Sequence, residues 1–362
     1  MKAWDDRSVE GEGVLDVRVA GTVFMDLVFS GLSATPGLGT EIRTDGLGSS
    51  PGGVANLAVA LARLDLKVGL VAAFAADLYG GYLWRTLAEQ EGVDLSGSRQ
   101  VDGWATPLTV SLAYERERTM ITYEEPPPLS LEELLVTPAR ARSLFTYVSD
   151  REEMRWLATI RRAGVTVFGD VGWDASGRWL GRVLDNLAMV DVFMPNAVEA
   201  MAYTRTATPE AALEILAELV PVAVVKCGRD GALACSRETG ERVREPGIAI
   251  EALDPTGAGD VFGAGLTLGT LEGWPLAERV RFANLCAALS CRFYGGSLSA
   301  PCWNEIASWC RELDADPTAT AALKRRYQFL DPYFERHVRS VKCHRPLPTI
   351  SASWPVELRH EE

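Results

Sequence analysis

The sequence predicts an α/β fold: a doubly wound, mainly parallel central sheet flanked by helices. Two observations carry this. From residue 143 onward, apolar strand-like runs alternate with helix-like runs, the rhythm of parallel βαβ units. Late in the chain, a small glycine-rich stretch, Asp254-Pro255-Thr256-Gly257-Ala258-Gly259-Asp260-Val261-Phe262-Gly263-Ala264-Gly265, leads directly into a helical run over 261–271. Ligands of such sheets sit at the carboxyl ends of strands. Asp170, followed by Gly172-Trp173-Asp174, falls at one such end and is a candidate for substrate selection.

In order, residues 1–12 are polar and acidic and read as a frayed end. Residues 15–20 alternate as a strand, and 23–29 continue as apolar chain interrupted by Asp26. A carboxylate there is costly unless it is paired, faces water at an edge or meets a ligand. The Gly-, Thr- and Ser-rich stretch 33–50 reads as loop or short strands leading into Pro51-Gly52-Gly53. Ala, Leu and Val at helical spacing predict a helix over 54–64. A strand over 67–73 and a helix over 77–91 follow, then two β-type runs, 106–114 and 118–123, around a polar turn. Trp104 reads as a core residue or as a stacking surface, and Glu124-Glu125-Pro126-Pro127-Pro128 as a stiff exit.

The βαβ portion runs strand 143–149, helix 152–163, strand 165–170, helix 177–186 and strand 190–194. A helix over 208–219 stops at Pro221, and a hairpin over 222–226 and 232–235 follows. Helices are then expected over 261–271, 276–293 and 301–313, with a turn at Gly295-Gly296-Ser297. Residues 314–362 form a separate extension, helix-like over 319–330 and then Pro-rich. It is locally basic at Lys324, Arg325, Arg326, Arg336, Arg339, Lys342 and Arg345. These side chains read either as a solvated face or as a surface that docks on the acidic body or on a partner subunit.

Composition limits the function. The chain has 362 residues, 47% hydrophobic and 23% charged, and a net charge of −13. That favours solubility and argues against nucleic-acid binding, which wants a basic face. A locally positive phosphate pocket remains compatible with it. No N-terminal leader combines basic residues with an apolar core, and no apolar run nears the roughly 20 residues that span a bilayer. A cytoplasmic protein without a membrane partner is expected. The seven cysteines are odd in number and form no C-x-x-C pair, which favours free thiols. The three histidines are His337, His344 and His360, so acid–base chemistry in the body falls to carboxylates, Lys, Tyr or Cys. The G-x-x-x-x-G-K-[ST] and His-Arg-Asp patterns are absent, as is a G-x-G-x-x-G after the first strand.

The chemistry of the central stretch follows from its residue types. Gly257 and Gly259 let a ligand approach the backbone. The first turn of a helix leaves N–H groups unpaired and carries partial positive charge, so phosphates dock there. Asp260 stands where it could take a proton from whatever attacks the phosphate. Taken alone, the stretch could also be a tightly packed helix start with an acidic first turn.

In context it closely resembles the C-terminal motif of the ribokinase-like carbohydrate kinases of the PfkB family. Pro51-Gly52-Gly53-Val54-Ala55-Asn56 independently resembles that family's N-terminal motif. The resemblance implies transfer of the γ-phosphoryl of ATP to a hydroxyl of a sugar or sugar-like molecule. Asp260 would be the base, the backbone of Gly257, Ala258 and Gly259 the anion hole, and Asp26, Gly52, Gly53 and Asn56 the grip on the acceptor. Pro195-Asn196-Ala197-Val198-Glu199 resembles the Asn-x-x-Glu motif tied to magnesium, with Glu199 acting directly or through water. Locally it also reads as an Asn cap with Glu in the first turn.

Lys226, Gly228 and Gly231 resemble the segment along the nucleotide, and Asn284 falls where the family shapes the adenine pocket. Asp254 and Thr256 resemble the monovalent-cation site of some relatives, which implies K+. The resemblance divides the chain into a kinase domain, 13–313, with lid segments near 33–50 and 100–125, and the extension 314–362. The small accessory β-sheet lid would draw on 37–47, 106–114 and 118–123, and in some relatives such a sheet forms a homodimer contact. Two alternatives stay open: a nucleoside kinase of the same family, and a non-catalytic nucleotide- or sugar-binding regulator.

Overall fold

A computed structural model of the protein describes residues 14–44, 46–114, 117–135, 140–149 and 154–338. In chain order the strands are β1 (Leu15–Ala20), β2 (Val23–Ser30), β3 (Gly46–Gly53), β4 (Val68–Val71), β5 (Ala73–Ala75), β6 (Arg99–Val101), β7 (Leu108–Tyr114), β8 (Glu117–Tyr123), β9 (Ala141–Tyr147), β10 (Thr166–Asp170), β11 (Val192–Phe193), β12 (Val222–Lys226), β13 (Ala232–Ser236) and β14 (Arg242–Glu245).

Eight of them form the central sheet, in the order β14-β13-β12-β11-β10-β9-β1-β4. From β12 to β4 all neighbours are parallel, and β13 and β14 close that edge as an antiparallel meander. The strand order reverses between β1 and β9, which makes the carboxyl end of that pair the switch point where a crevice opens. The central strands read as nearly continuous apolar runs because helices cover both faces. Val17, Val19, Phe145 and Phe168 are fully buried.

A second sheet, β3-β2-β7-β8, is mixed: β2 pairs antiparallel with β3 and parallel with β7, and β7 pairs antiparallel with β8. The strand carrying Asp26 therefore belongs to this small sheet and does not extend the central one. Pro51-Gly52-Gly53 also departs from expectation. It is the end of β3, running straight into the helix Val54–Arg63, where loop or short strands were expected only over 33–50. Pairing with β2 overrides the weak strand propensity of a Gly/Ser/Pro run. Residues 37–44 contribute no strand, so the lid draws on this stretch only from Gly46.

The helix Val54–Arg63 is apolar on all sides and is accordingly buried almost throughout. It packs against the helix Ala258–Leu271, which in turn packs on Leu276–Ser290. Small residues allow the second contact: a methyl on Gly265 would lie 2.8 Å from Ala283 Cα. Elsewhere the expected helix over 177–186 shrinks to Arg182–Asn186. The Asp174 carboxylate instead accepts from Ser176 and Trp179 N–H and holds a turn. Strand β14 was not anticipated.

The C-terminal segment docks on the body. Tyr327 and Leu330 are buried in the same apolar cluster as the helix Val54–Arg63. The Trp274 ring meets Phe282, Phe329 and Tyr333 edge-on at 5.0–5.2 Å. Trp303 stacks on Tyr333 and on His337, and His337 bonds Asp65 at 2.9 Å. Arg281 and Arg326 share the carboxylate of Glu245. Arg339, Lys342 and Arg345 lie outside the described residues.

Cys227, Cys235, Cys286 and Cys310 are free thiols as expected, but Cys302 is disulfide-bonded, which corrects that expectation for this residue. Among the described residues, no helix is long and apolar enough to cross a membrane.

Leu330 is fully buried, so Leu330→Ala should lower unfolding stability by roughly 2–5 kcal/mol. Denaturant unfolding measures this. A wild-type midpoint would show that the segment contributes nothing to the core.

Candidate active site

The site is built around the amino end of the helix Ala258–Leu271. Gly257 caps it with φ at +74°, in the left-handed region that favours glycine. Asp260 stands in the first turn. Its Oδ2 accepts a hydrogen bond from Asn56 Nδ2 at 3.1 Å, and its Oδ1 accepts one from the Tyr147 hydroxyl at 2.8 Å. Three elements thus converge on one carboxylate: the helix Val54–Arg63, the carboxyl end of β9, and the Gly257 loop. Of the loop's amides, Ala258 N–H makes a 3.2 Å turn bond to the Pro255 carbonyl.

Asp26 reaches the same place from the lid. A methyl built on Gly296 would lie 3.1 Å from Asn56 Oδ1, 3.2 Å from Ser50 Oγ and 3.7 Å from Asp26 Oδ2, so these three polar groups surround one glycine. Asn56 Oδ1 and Ser50 Oγ are buried and have no hydrogen-bond partner among the described residues. Gly52 has a packing reason to be glycine. A side chain there would overlap the Asp26 carboxylate, with Oδ2 only 2.1 Å away. Gly52 makes room for Asp26 to lie across β3. Gly53 is the cap of the following helix.

On the other side of Asp260, Asn196 and Glu199 form a reciprocal capping box on the helix Ala197–Thr204, both bonds 2.9 Å. Asn196 bridges Lys226 on the neighbouring strand. The Lys226 ammonium pairs with the Asp170 carboxylate and lies 3.4 Å from where a Gly259 methyl would sit. Burial opposes charge on Lys226, but Asp170, Glu199 and Asp260 outweigh it and raise its pKa. Burial pushes the Asp170 carboxyl up to about 7 against the pull of Lys226, and Glu199 and Asp260 add to the rise. Burial likewise raises Glu199. The Tyr147 phenol is raised well above its usual range by burial and by the charges of Asp260 and Asp170. At neutral pH it is therefore a donor.

The remaining sequence candidates gather elsewhere. Gly228 and Gly231 shape the turn into β13, and Asn284 Nδ2 donates to the carbonyls of Glu245 at 3.2 Å and Pro246 at 3.3 Å. Asn284 thus ties its helix to the end of β14. Asp254 is buried and accepts from Thr256 N–H at 2.9 Å and Gly295 N–H at 3.0 Å. It ties the central loop to the 295–297 turn, and Ser297 Oγ donates to the Pro51 carbonyl at 2.5 Å. Thr256 Oγ1 is buried without a partner among the described residues. The Asp174 carboxylate is occupied by its own turn, while Trp173 is 67% exposed.

Tyr147 and Ser50 escaped the reading of the sequence. A tyrosine near the carboxyl end of a strand in the βαβ portion was the available signal for the first. A serine beside the Pro-Gly-Gly run was the signal for the second.

Comparison with known proteins follows the same lines. Residues 16–303 match the pfkB family carbohydrate kinase model, and the chain belongs to that family. The ATP-dependent ribose-1-phosphate kinase of Halopiger xanaduensis is 30% identical over 269 residues, covering 73% of this chain and 87% of that protein. The ribokinase of Arabidopsis thaliana, solved with ribose and ATP, has a TM-score of 0.69 at 23% identity, over 82% of this chain and 98% of that one. An E. coli protein solved with ATP and Mg2+ has a TM-score of 0.68 at 20% identity, over 83% and 100% of the two chains. The protein is a carbohydrate kinase of the ribokinase-like fold.

Gly52→Ala should displace Asp26 and cost about 1–3 kcal/mol through overpacking. Thermal unfolding tests it, and a variant as stable as the wild type would mean that Asp26 does not need this space.

Proposed function

We propose that the protein transfers the γ-phosphoryl of ATP to a hydroxyl of a sugar or sugar-like acceptor, with Asp260 as general base. The observation that carries this is the Asp260 carboxylate, gripped by Asn56 and Tyr147 at a helix amino end, beside the ring of Asp26, Ser50 and Asn56. Buried polar atoms without partners are costly. The open Asn56 Oδ1 and Ser50 Oγ suit the hydroxyls of an acceptor, and Asp26 accepts from them well.

The acceptor hydroxyl gives its proton to Asp260 as its oxygen attacks the γ-phosphorus in line, and ADP leaves. The amides of Gly257, Ala258 and Gly259, at the positive end of the helix dipole, stabilise charge on the transferring group. Ala258 must exchange its bond to Pro255 for this. The Lys226 ammonium stands beside Gly259, so it serves the phosphates more directly than a contact along the nucleotide would. Asn196 holds Glu199 in place beside it. Gly228, Gly231 and Asn284 shape the more distant nucleotide wall, around the end of β14.

Magnesium fits this donor set. Glu199 has one oxygen committed to Asn196 N–H and the other for a metal-bound water, which suits an ion held mainly by phosphates and water. The ion, when bound, neutralises charge on the phosphates. K+ beside Asp254 and Thr256 belongs to the same reading, supported by the partnerless Thr256 Oγ1. Use of ATP agrees with the cytoplasmic location expected from the sequence. The division into a 13–313 kinase unit and a 314–362 extension also belongs to this reading, with the extension serving as a seal on the core.

ATP turnover with a panel of sugars and nucleosides, in K+ and in Na+, tests the assignment. Asp260→Asn should lose on the order of a hundred- to ten-thousandfold in kcat while still binding ATP. Undiminished turnover would remove Asp260 from the mechanism. Preference for adenosine or inosine would select the nucleoside-kinase reading, and binding without product the regulator.

The lid also suits a homodimer contact. β8 is the outer strand of its sheet and exposes Met120, Ile121 and Tyr123 at 50%, 65% and 52%. Sedimentation should give a dimer that Ile121→Lys converts to monomer. A monomeric wild type would end this part of the proposal.

A further inference from the structure

The structure assigns Tyr147 as a positioning residue: its hydroxyl fixes the Asp260 carboxylate in one orientation and keeps it in the ionised form. This rests on the reading of Asp260 as base.

A carboxylate on the first turn of a helix can rotate among several rotamers, and each would present a different lone pair to the acceptor. Here each oxygen has its own donor. Asn56 Nδ2 holds Oδ2 and the Tyr147 hydroxyl holds Oδ1. The two donors come from opposite sides of the site and from rigid elements. Asn56 is on a buried helix, and Tyr147 is the last residue of a central strand. The Tyr147 ring packs edge-on against Phe145 at 5.7 Å, and its strand neighbour in register is Asp170. The phenol is thus mounted on the sheet, and its hydroxyl is aimed at the helix.

The electrostatic surroundings explain why such a donor is needed. Asp170 on β10 and Glu199 on the helix Ala197–Thr204 both place negative charge near Asp260. Lys226 on β12 is the cation facing this group, and it is already paired with Asp170. Negative neighbours favour the protonated, useless form of a base, whereas a hydrogen bond to the charged form favours the carboxylate. Tyr147 itself stays neutral, because burial and the charges of Asp260 and Asp170 hold its pKa well above the usual range. It donates across the whole working pH range.

The test is Tyr147→Phe, which keeps the ring and removes one oxygen. A charge-assisted hydrogen bond of this kind corresponds to a loss of kcat on the order of ten- to a hundredfold. The acid limb of the kcat/KM profile should move to higher pH, since loss of the donor raises the pKa of Asp260. The KM for ATP should stay at the wild-type value. A lower kcat with the acid limb unmoved and the melting temperature reduced would indicate a structural role and overturn the inference. Wild-type kcat with an unmoved limb would overturn it as well. Asp260→Asn, assayed in parallel, separates the two levels. Full turnover in that variant removes the base and this inference with it. An inactive Asp260→Asn beside an unaffected Tyr147→Phe removes only the role of Tyr147.

Discussion

A hydrogen bond of 3.1 Å joins Asn56 to Asp260, residues 204 positions apart in the chain. Much of the architecture is arranged so that this bond can form. The two helices that carry the partners must lie close, and the residues at their contact are small or apolar for that reason. A methyl on Gly263 would already stand 3.0 Å from Leu57 Cδ1. The amino end of one helix is then held in place from three sides. Asp254 ties its loop to the 295–297 turn, Ser297 ties that turn to Pro51, and Gly296 fits among Asn56, Ser50 and Asp26. Both glycine-rich motifs are in this sense parts of one joint.

The joint is also an electrostatic device. Asp170, Glu199 and Asp260 are carboxylates around the ammonium of Lys226, and Asp170 and Glu199 are buried. Burying like charges together is costly, and one cation does not balance three anions. The Asp170 carboxyl rises to about 7 chiefly because it is buried, and the charges of Glu199 and Asp260 add to the rise. Such a cluster is poorly suited to holding the fold together and well suited to receiving a cation that completes it.

Much of this was legible in the sequence, and the limits have physical causes. β1, β12 and the capped helix Ala197–Thr204 follow from local pattern, because burial on both faces or a cap leaves a local signature. The membership of β2 in the lid did not follow. An apolar strand looks the same whichever sheet accepts it, and only pairing with the atypical Gly/Ser/Pro strand β3 decides. That Gly52 leaves space for a carboxylate depends on where Asp26 points, which no local pattern shows. Tyr147 lies 113 positions from the carboxylate it meets, and Lys226 lies 56 from Asp170. Contacts of that range leave no periodicity to read. Asn196 and Glu199 show the reverse case, in which the plain capping reading is fulfilled in the structure while the residues still stand beside the charged cluster.

The aromatic seal formed by Trp274, Trp303, Phe329 and Tyr333 carries the packed core past the end of the family match. The shared family region closes at residue 303, on the tryptophan that stacks beneath the later segment. Leu330, beyond that match, lies in the same apolar cluster as the helix bearing Asn56. A chain cut where the match stops would strip the cover from Trp274 and Trp303 and turn their rings toward water.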